Sequence, residues 1–133
     1  MHRETFEIIE GQQAMFGYAQ AVRVGDTIWI ANTPGCDESL TFPEDMAGQL
    51  RQVYINLVTS LDHFSSSIAD LVDVTVFVLD IGEYTAASAM HRSDFFGTDG
   101  LPASTLVQVS GFLLPEMLVS IKATAIIGSA APR

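Results

Sequence analysis

The chain has 133 residues, of which 48% are hydrophobic, and it carries sixteen acidic against six basic side chains for a net charge of −10. This length predicts one domain, residues 1–133, with a core of its own, and the hydrophobic content excludes a disordered chain. The charge argues against a nucleic-acid partner, because Lys and Arg side chains are what displaces counterions from phosphates, and the six basic residues form no cluster.

The first half of the chain predicts a β-hairpin followed by a long helix. Two β-rich runs, 21–24 and 27–31, flank the turn signal Gly25-Asp26, and a further strand is expected near residues 6–10. Residues 41–44, Thr-Phe-Pro-Glu, match a capping box, so the helix is expected to begin there. An apolar stripe at spacings of three and four residues follows: Met46, Leu50, Val53, Leu57, Leu61 and Phe64.

The second half predicts strands around a second helix. Residues 72–79 alternate valines with a partly apolar opposite face, so this strand needs cover on both faces. The pattern Asp80-x-x-Glu83 predicts a helix start, and Gly97 suits its left-handed C-terminal cap. Residues 106–109 and 118–127 predict two further strands. The order β-β-β-α-β-α-β-β indicates an α+β fold, a mixed β-sheet with two helices packed on one face and neighbouring subunits on the other.

The expected location of the protein is the cytoplasm. Cys36 is the sole cysteine, which excludes an internal disulfide bond and fits a reducing compartment. The first residues are acidic where a signal peptide needs an apolar core, and the apolar run 74–79 is too short to span a membrane.

Two segments near the C-terminus carry a family resemblance: residues 102–109, Pro-Ala-Ser-Thr-Leu-Val-Gln-Val, and residues 115–123, Pro-Glu-Met-Leu-Val-Ser-Ile-Lys-Ala. They resemble the C-terminal signature of the RidA/YjgF family of reactive-intermediate imine deaminases, Pro-Ala-Arg-Ser/Thr-x-Val-x-Val followed by a strand like Val-Glu-Ile-Glu-Ala. Earlier segments resemble the family in the same order: residues 17–21, 28–33, 49–57 and 70–77. The chain is therefore identified as a divergent member of this family.

The resemblance implies a chorismate-mutase-like fold that assembles as a homotrimer with ligand clefts between subunits. It implies a small-molecule metabolite as the ligand, and a reaction that needs no cofactor and no metal. Some members of the family carry an endoribonuclease or translation-inhibitor label, but the net charge of this chain argues against RNA as a substrate.

The polar site of the family is altered in this chain. In the family, the signature Arg grips a substrate carboxylate and the first Glu of the final strand helps to place the attacking water. Ser104 stands at the position of that Arg, and Ser120 at the position of that Glu. A charge-assisted contact contributes about 1.5–3 kcal/mol, so its loss predicts weak or absent classical deaminase activity and a preference for a neutral ligand. The alternative is a non-catalytic metabolite-binding or chaperone-like module that uses the same cleft, which the apolar Ala89 and Leu106 favour.

The residues expected to bind the ligand are polar side chains at family cleft positions: Tyr18, Asn32, Thr33, Ser104 and Ser120. Each has a structural alternative, namely a packed tyrosine, a loop cap or an ordinary polar strand position. Lys122, the sole lysine, could replace the lost cation or pair with an acid, and the ion pair is the expected role. Arg23 or Arg92 from a neighbouring subunit is a further candidate cation.

The sequence assigns no residue a catalytic role. His63 and His91 are 28 positions apart in the chain, without the spacing of metal ligands, and Cys36 has no neighbouring base to activate it. Glu116 is a candidate acid or base, with a surface bend as its expected role.

Overall fold

The computed structural model describes residues 2–89 and 92–130. Within these ranges the strands are β1 (Arg3–Phe6), β2 (Ala21–Val24), β3 (Thr27–Pro34), β4 (Leu71–Val78), β5 (Ala103–Gln108) and β6 (Val119–Ile126). The helices are α1 (Gln12–Phe16), α2 (Met46–His63), α3 (Ile81–Ser88) and α4 (Arg92–Phe96), with a 3-10 turn at Ile68–Asp70. None of these helices combines the length and the apolar character that crossing a membrane requires.

The six strands form one mixed sheet in the order β1-β2-β3-β6-β4-β5. β4 and β5 run parallel, and the other neighbouring pairs are antiparallel. A parallel pair needs a crossover connection, and α3 and α4 supply it between β4 and β5. The α+β fold with a mixed sheet is therefore confirmed.

One face of the sheet is covered by helices. Leu50, Val53, Leu57 and Leu61 of α2 are buried in the same core as alternate residues of the central strands. The strand residues of that core are Ile28, Ile30, Val74, Val76, Val78, Val119, Ile121, Ala123 and Ala125. Tyr84 of α3 joins this core, so α2 and α3 lie on one face, as expected. The opposite side of the sheet is called the open face below.

A buried amide fastens α2 to the segment that precedes β6. Gln49 Nε2 donates to Pro43 O at 2.9 Å and to Glu116 O at 2.8 Å, and Gln49 Oε1 accepts from Leu118 N at 2.8 Å. Because a buried amide is costly unless its hydrogen bonds are satisfied, these contacts hold the segment 109–118 against the helix.

The end of β3 also approaches α2 closely. A Cβ atom added to Gly35 would lie 2.3 Å from Gln49 O, so only glycine fits there. Asn56 Nδ2 donates to Pro34 O at 2.9 Å and to Cys36 O at 2.8 Å. The two contacts place the end of β3 beside the segment 109–118, where the candidate functional site lies.

Several local predictions are confirmed. Gly25 and Asp26 connect β2 to β3 in a hairpin. Asp80 Oδ1 accepts from Glu83 N at 2.8 Å at the start of α3. Gly97 has a φ of 75° after α4, in the left-handed region that favours glycine.

The start of α2 differs from the sequence prediction. The helix begins at Met46, and Asp45 Oδ1 accepts from Gly48 N at 2.9 Å as its N-cap. Thr41 belongs to a separate loop, in which its amide donates to Asp37 Oδ1 at 3.0 Å. The predicted capping box was wrong because the carboxylate of Asp45 lies closer to the free N–H groups of the first turn.

The remaining differences concern bounds and one added element. The first strand spans Arg3–Phe6 instead of residues 6–10, and the short helix α1 was not predicted. Five residues between Gly11 and Gly17, both with positive φ, are too few to show a helical period. The second predicted helix is described as α3 and α4, with residues 90 and 91 outside the described ranges.

Candidate functional site

A cleft lies on the open face, where the end of β3, the start of β6 and the segment 112–117 meet. Its volume is about 530 Å³, within the range of roughly 300–1,000 Å³ that is typical of small-molecule sites. Its polar side is formed by Tyr18, Asn32, Ser120 and Lys122, and its apolar side includes Phe16, Leu40, Phe112, Leu113, Leu114 and Met117. We call this site the sheet cleft.

An irregular stretch of β3 presents Asn32 to the sheet cleft. The register between β3 and β6 shifts between Ile30 and Thr33, so Ala31 and Asn32 lie in a bulge. Asn32 is exposed at the cleft, whereas Thr33 is fully buried. A bulge changes the direction of side chains at a strand end, and here it brings a carboxamide to the same cleft as Tyr18.

Ser120 contributes a buried hydroxyl that is not satisfied. The residue is 0% exposed and borders the sheet cleft. Its Oγ has no hydrogen-bond partner among the described residues. In the sheet it lies between Pro34 of β3 and Phe77 of β4, whose side chains offer no hydrogen bond. An unpaired buried hydroxyl costs about 1–3 kcal/mol, and a ligand whose polar atom reaches it would offset that cost.

Lys122 lies two residues further along the same side of β6, exposed at the sheet cleft. It makes no hydrogen bond or ion pair with any residue in the ranges 2–89 and 92–130. The acidic partner expected from the sequence is thus not found within these parts of the protomer. No acidic side chain is among the described residues that line the cleft. In a chain of net charge −10, this cleft carries a local positive charge.

A relay of buried side chains runs behind the cleft from α1 to β3. Gln12 Nε2 donates to Gln20 Oε1 at 2.9 Å, and Gln20 Nε2 donates to Thr33 Oγ1 at 3.0 Å. Thr33 Oγ1 donates in turn to Ala31 O at 2.9 Å. Because protein partners already satisfy the Thr33 hydroxyl, Thr33 supports the bulge and is not free to bind a ligand in this arrangement.

The relay borders a second cavity of about 430 Å³, which we call the relay cavity. It is lined by Gln12, Gln20 and Thr33 as well as by Cys36 and Asn56. Three residues border both cavities: Ile9, Tyr18 and Pro34. Tyr18 is 41% exposed, and its ring centroid lies 6.4 Å from that of Phe16. The ring of Tyr18 is therefore part of a wall that the two cavities share.

Ser104 lies apart from the other predicted ligand residues. It is exposed on the edge strand β5, in parallel register with Val74, and so is on the helix-covered side of the sheet. One protomer therefore brings Tyr18, Asn32 and Ser120 together in the sheet cleft, with Ser104 outside it. A role for Ser104 in the same site stays a prediction that requires a neighbouring subunit.

Cys36 is buried, and its thiol is not activated. Burial raises the pKa of the thiol from 9.0 to about 11, and the negative charge of Asp37 acts in the same direction. A nucleophilic cysteine needs a lowered pKa, because the thiolate is the reactive form. Cys36 is thus a structural residue at neutral pH.

The other candidates from the sequence lie outside the sheet cleft. His63 stacks on Phe6 with ring centroids 4.4 Å apart, and Glu116 is exposed. His91 is outside the described residues. Across the described parts of the chain, no three His, Cys, Asp or Glu side chains come together in a way that could hold a metal ion.

The apolar wall of the sheet cleft was not predicted from the sequence. It is built mainly by a loop, the segment 112–117, in which Leu113 is 77% exposed. The available signal was the apolar run Phe112-Leu113-Leu114 between Gly111 and Pro115, because large apolar side chains in a loop often mark a binding surface.

Comparison with known proteins agrees with this architecture. The model of a family described as Endoribonuclease L-PSP matches residues 10–127. A RutC family protein of Pyrococcus abyssi is 29% identical over 110 residues, covering 81% of this chain and 84% of the relative. The 2-iminobutanoate/2-iminopropanoate deaminase of Rattus norvegicus is 28% identical over 129 residues, covering 95% of this chain and 91% of the relative.

A solved structure shows the same fold. The crystal structure of a Mycobacterium tuberculosis protein of the YjgF/YER057c/UK114 family has a TM-score of 0.82 and 26% identity to this chain, covering 95% of it and 100% of that chain. Because the family model spans most of the sequence and the fold recurs in this structure, the protein belongs to the RidA/YjgF family, as its C-terminal segments indicated.

Proposed function

We propose that this protein binds a small imine, enamine or related carbonyl metabolite in the sheet cleft and hydrolyses it, with a ligand specificity altered from that of the deaminases it resembles. The rat relative is named a 2-iminobutanoate/2-iminopropanoate deaminase, which suggests the reaction class. The observation that carries the proposal is the buried, unpaired hydroxyl of Ser120 at the edge of a cleft that Tyr18 and Asn32 also line.

Imine hydrolysis makes modest demands on a protein. Water adds its oxygen to the carbon of the C=N bond while nitrogen gains a proton, and the adduct then releases ammonia and leaves a carbonyl. The protein has to orient imine and water in a partly dry site. Ser120, Tyr18 and Asn32 can each donate and accept hydrogen bonds for that purpose. No carboxylate is among the described lining residues to act as a base, so a slow rate is expected.

A trapping assay tests the activity. An amino acid oxidase generates imines from alanine, leucine and phenylalanine, and semicarbazide traps whatever imine escapes hydrolysis. We expect the protein to lower semicarbazone formation only slightly with the alanine imine and more with the two larger imines, because the apolar wall of the cleft suits a larger body. The rat relative, assayed alongside, is the reference. If this protein hydrolysed the alanine imine as fast as the rat relative does, the proposed change in specificity would be contradicted.

A second candidate is a non-catalytic metabolite-binding module that uses the same cleft. The exposed Leu113 and the apolar side chains beside it favour this function, since they bind without contributing chemistry. Native mass spectrometry of the purified protein checks it. This candidate would be favoured over the enzyme if a metabolite stays bound and is recovered unchanged, and if the protein does not lower semicarbazone formation from any imine.

We also propose that the protein acts in the cytoplasm as a homotrimer in which a neighbouring subunit completes the cleft. Exposed Trp29 and Ile126 on the open face support self-association, because large apolar patches usually mark interfaces. RNA is not proposed as a partner, since the net charge of −10 opposes phosphate binding.

A further inference from the structure

We infer that Lys122 is the anion-binding residue of the sheet cleft and that the preferred ligand is a carboxylate with an apolar body, an inference that rests on the proposed role of this cleft as the ligand site. The absence of an arginine at position 104 predicted a neutral ligand, with Lys122 expected to pair with an acidic side chain. The structure adds a cation that approaches the cleft from a different strand.

The charges around the cleft favour an anion. Lys122 lines it without an ion pair or hydrogen bond to any described residue, and no described lining residue is acidic. Elsewhere the chain is strongly acidic, with sixteen Asp and Glu residues. The net charge of the chain repels anions, so the attraction of the unpaired ammonium is local and acts within about 8–10 Å at ordinary ionic strength.

Ser120 supplies the second contact. Ser120 and Lys122 are on the same side of β6, about 6.6 Å apart along the strand. A carboxylate has two acceptor oxygens, and the Ser120 hydroxyl and the Lys122 ammonium can each donate a hydrogen bond to one of them. Such a contact would satisfy the one buried hydroxyl at this site that the described residues leave unpaired.

The apolar wall of the cleft favours ligands whose non-acidic part is apolar and large. Phe112, Leu114 and Met117 face a volume of about 530 Å³, more than a two- or three-carbon acid would fill. An aromatic or medium-length aliphatic body would exclude water from this wall, at about 25 cal/mol per Å² of apolar surface. Lys122 therefore acts as a specificity-determining residue that orients the acid end of such a molecule.

Calorimetry with a matched pair of probes tests the inference on the full-length protein. The probes are 3-phenylpropanoate and 3-phenylpropanamide, which share the apolar body and differ in charge. We expect the carboxylate to bind about five- to tenfold more tightly than the amide at low ionic strength. Lys122→Met should abolish the difference, and Lys122→Arg should keep most of it.

Arg51→Met is the control variant, because it removes the same charge from an exposed position on α2, away from the cleft. It should leave the preference for the carboxylate unchanged. Equal affinity of the wild type for both probes, or a preference that survives Lys122→Met, would overturn the assignment of Lys122 while the cleft stays a binding site. Binding of neither probe would overturn the proposed cleft itself.

The sole lysine of the chain allows a direct readout. Reductive methylation with ¹³C-formaldehyde keeps the charge and labels Lys122 as the single lysine signal beside that of the N-terminal amine. The carboxylate should shift this signal with the same saturation as in calorimetry, and the amide should not. A carboxylate that binds without moving the Lys122 signal would contradict the inference.

Discussion

Two buried serines show how differently a hydroxyl can be accommodated in this chain. Ser66 Oγ donates to Asp70 Oδ2 at 2.7 Å, a charge-assisted hydrogen bond. Ser120 Oγ is also buried but has no described partner. The first hydroxyl stabilises the fold, whereas the second costs stability unless a ligand satisfies it.

Ser120→Ala is therefore expected to raise the free energy of unfolding of the ligand-free protein by about 1 kcal/mol, because it removes an unsatisfied buried group. Ser66→Ala is the matched control and should lower the same quantity by about 1.5–3 kcal/mol, because it deprives Asp70 Oδ2 of its donor. Urea unfolding measures both. A loss of stability in Ser120→Ala comparable to that in Ser66→Ala would show that the Ser120 hydroxyl has a partner.

The thiol of Cys36 should resist alkylation in the folded protein. Its pKa is raised from 9.0 to about 11, so the thiolate is scarce at pH 8. Iodoacetamide is expected to react slowly at pH 8 and much faster once urea unfolds the chain. A thiol that reacts equally fast with and without urea would contradict its burial.

The same shift has a consequence for stability. Because the folded pKa of Cys36 lies above its unfolded value, the contribution of the neutral thiol is fully present below about pH 9 and is lost as the pH rises through 11. The difference in unfolding free energy between the wild type and Cys36→Ala should therefore fall between these two pH values. A difference that stays constant over this range would exclude the raised pKa.

Three of the polar residues predicted from the sequence lie together in one cleft, but the electrostatics of that cleft were not predicted. Tyr18, Asn32 and Ser120 were predicted from their positions in the family motifs, and the cleft contains all three. The unpaired state of Lys122 could not be predicted, because it depends on which acidic side chains come close in three dimensions. Ser104 lies outside the cleft of its own protomer, on a strand at the edge of the sheet.

Among the elements, α2 lies in close contact with the end of β3, which borders the cleft. Gly35→Ala would place a Cβ 2.3 Å from the backbone oxygen of Gln49, and a backbone atom cannot move aside cheaply. We expect a loss of about 2–4 kcal/mol in the free energy of unfolding. Gly111→Ala is the control, because its added Cβ meets nothing within 4 Å; its stability should change by less than about 0.5 kcal/mol.

A small effect of Gly35→Ala on stability would mean that α2 can move away from β3. In that case hydrogen exchange at Leu118 N, whose partner is Gln49 Oε1, should become faster than in the wild type. An unchanged exchange rate together with an unchanged stability would contradict the close contact itself.

The helices and strands were predictable where their apolar residues recur at a regular spacing. The apolar stripe of α2 and the alternating strands β4 and β6 follow from periods of 3.6 and 2, so their existence and type were confirmed. The start of α2 was mispredicted because Thr41 and Asp45 both precede a helical pattern, and tertiary contacts of the loop decide between them. The helix α1 is too short for any period to appear.

At the scale of the whole molecule, the open face exposes a large apolar side chain that the single chain does not cover. Trp29 is 47% exposed in the middle of this face, in register with Val22 and Thr124. A large apolar side chain at the centre of a sheet face is typical of a surface that another subunit covers.

Light scattering is expected to give about three times the chain mass of 14.4 kDa. Trp29→Glu should reduce the mass to that of the monomer, because burying an unpaired carboxylate at an interface is costly. Val58→Glu is the control, since Val58 is an exposed position on α2, on the other side of the sheet. A monomeric wild type at micromolar concentration would contradict the assembly. Trp29 is the only tryptophan, so its protection from acrylamide quenching gives a second measure.

The sheet cleft and the relay cavity share a wall, so a ligand in one cavity is expected to affect binding in the other. Ile9, Tyr18 and Pro34 line both cavities. A ligand that pushes the Tyr18 ring away from its own cavity would enlarge that cavity and narrow the other one. Two ligands bound on either side of this wall would compete or cooperate without direct contact, and each would change the affinity for the other by the same factor.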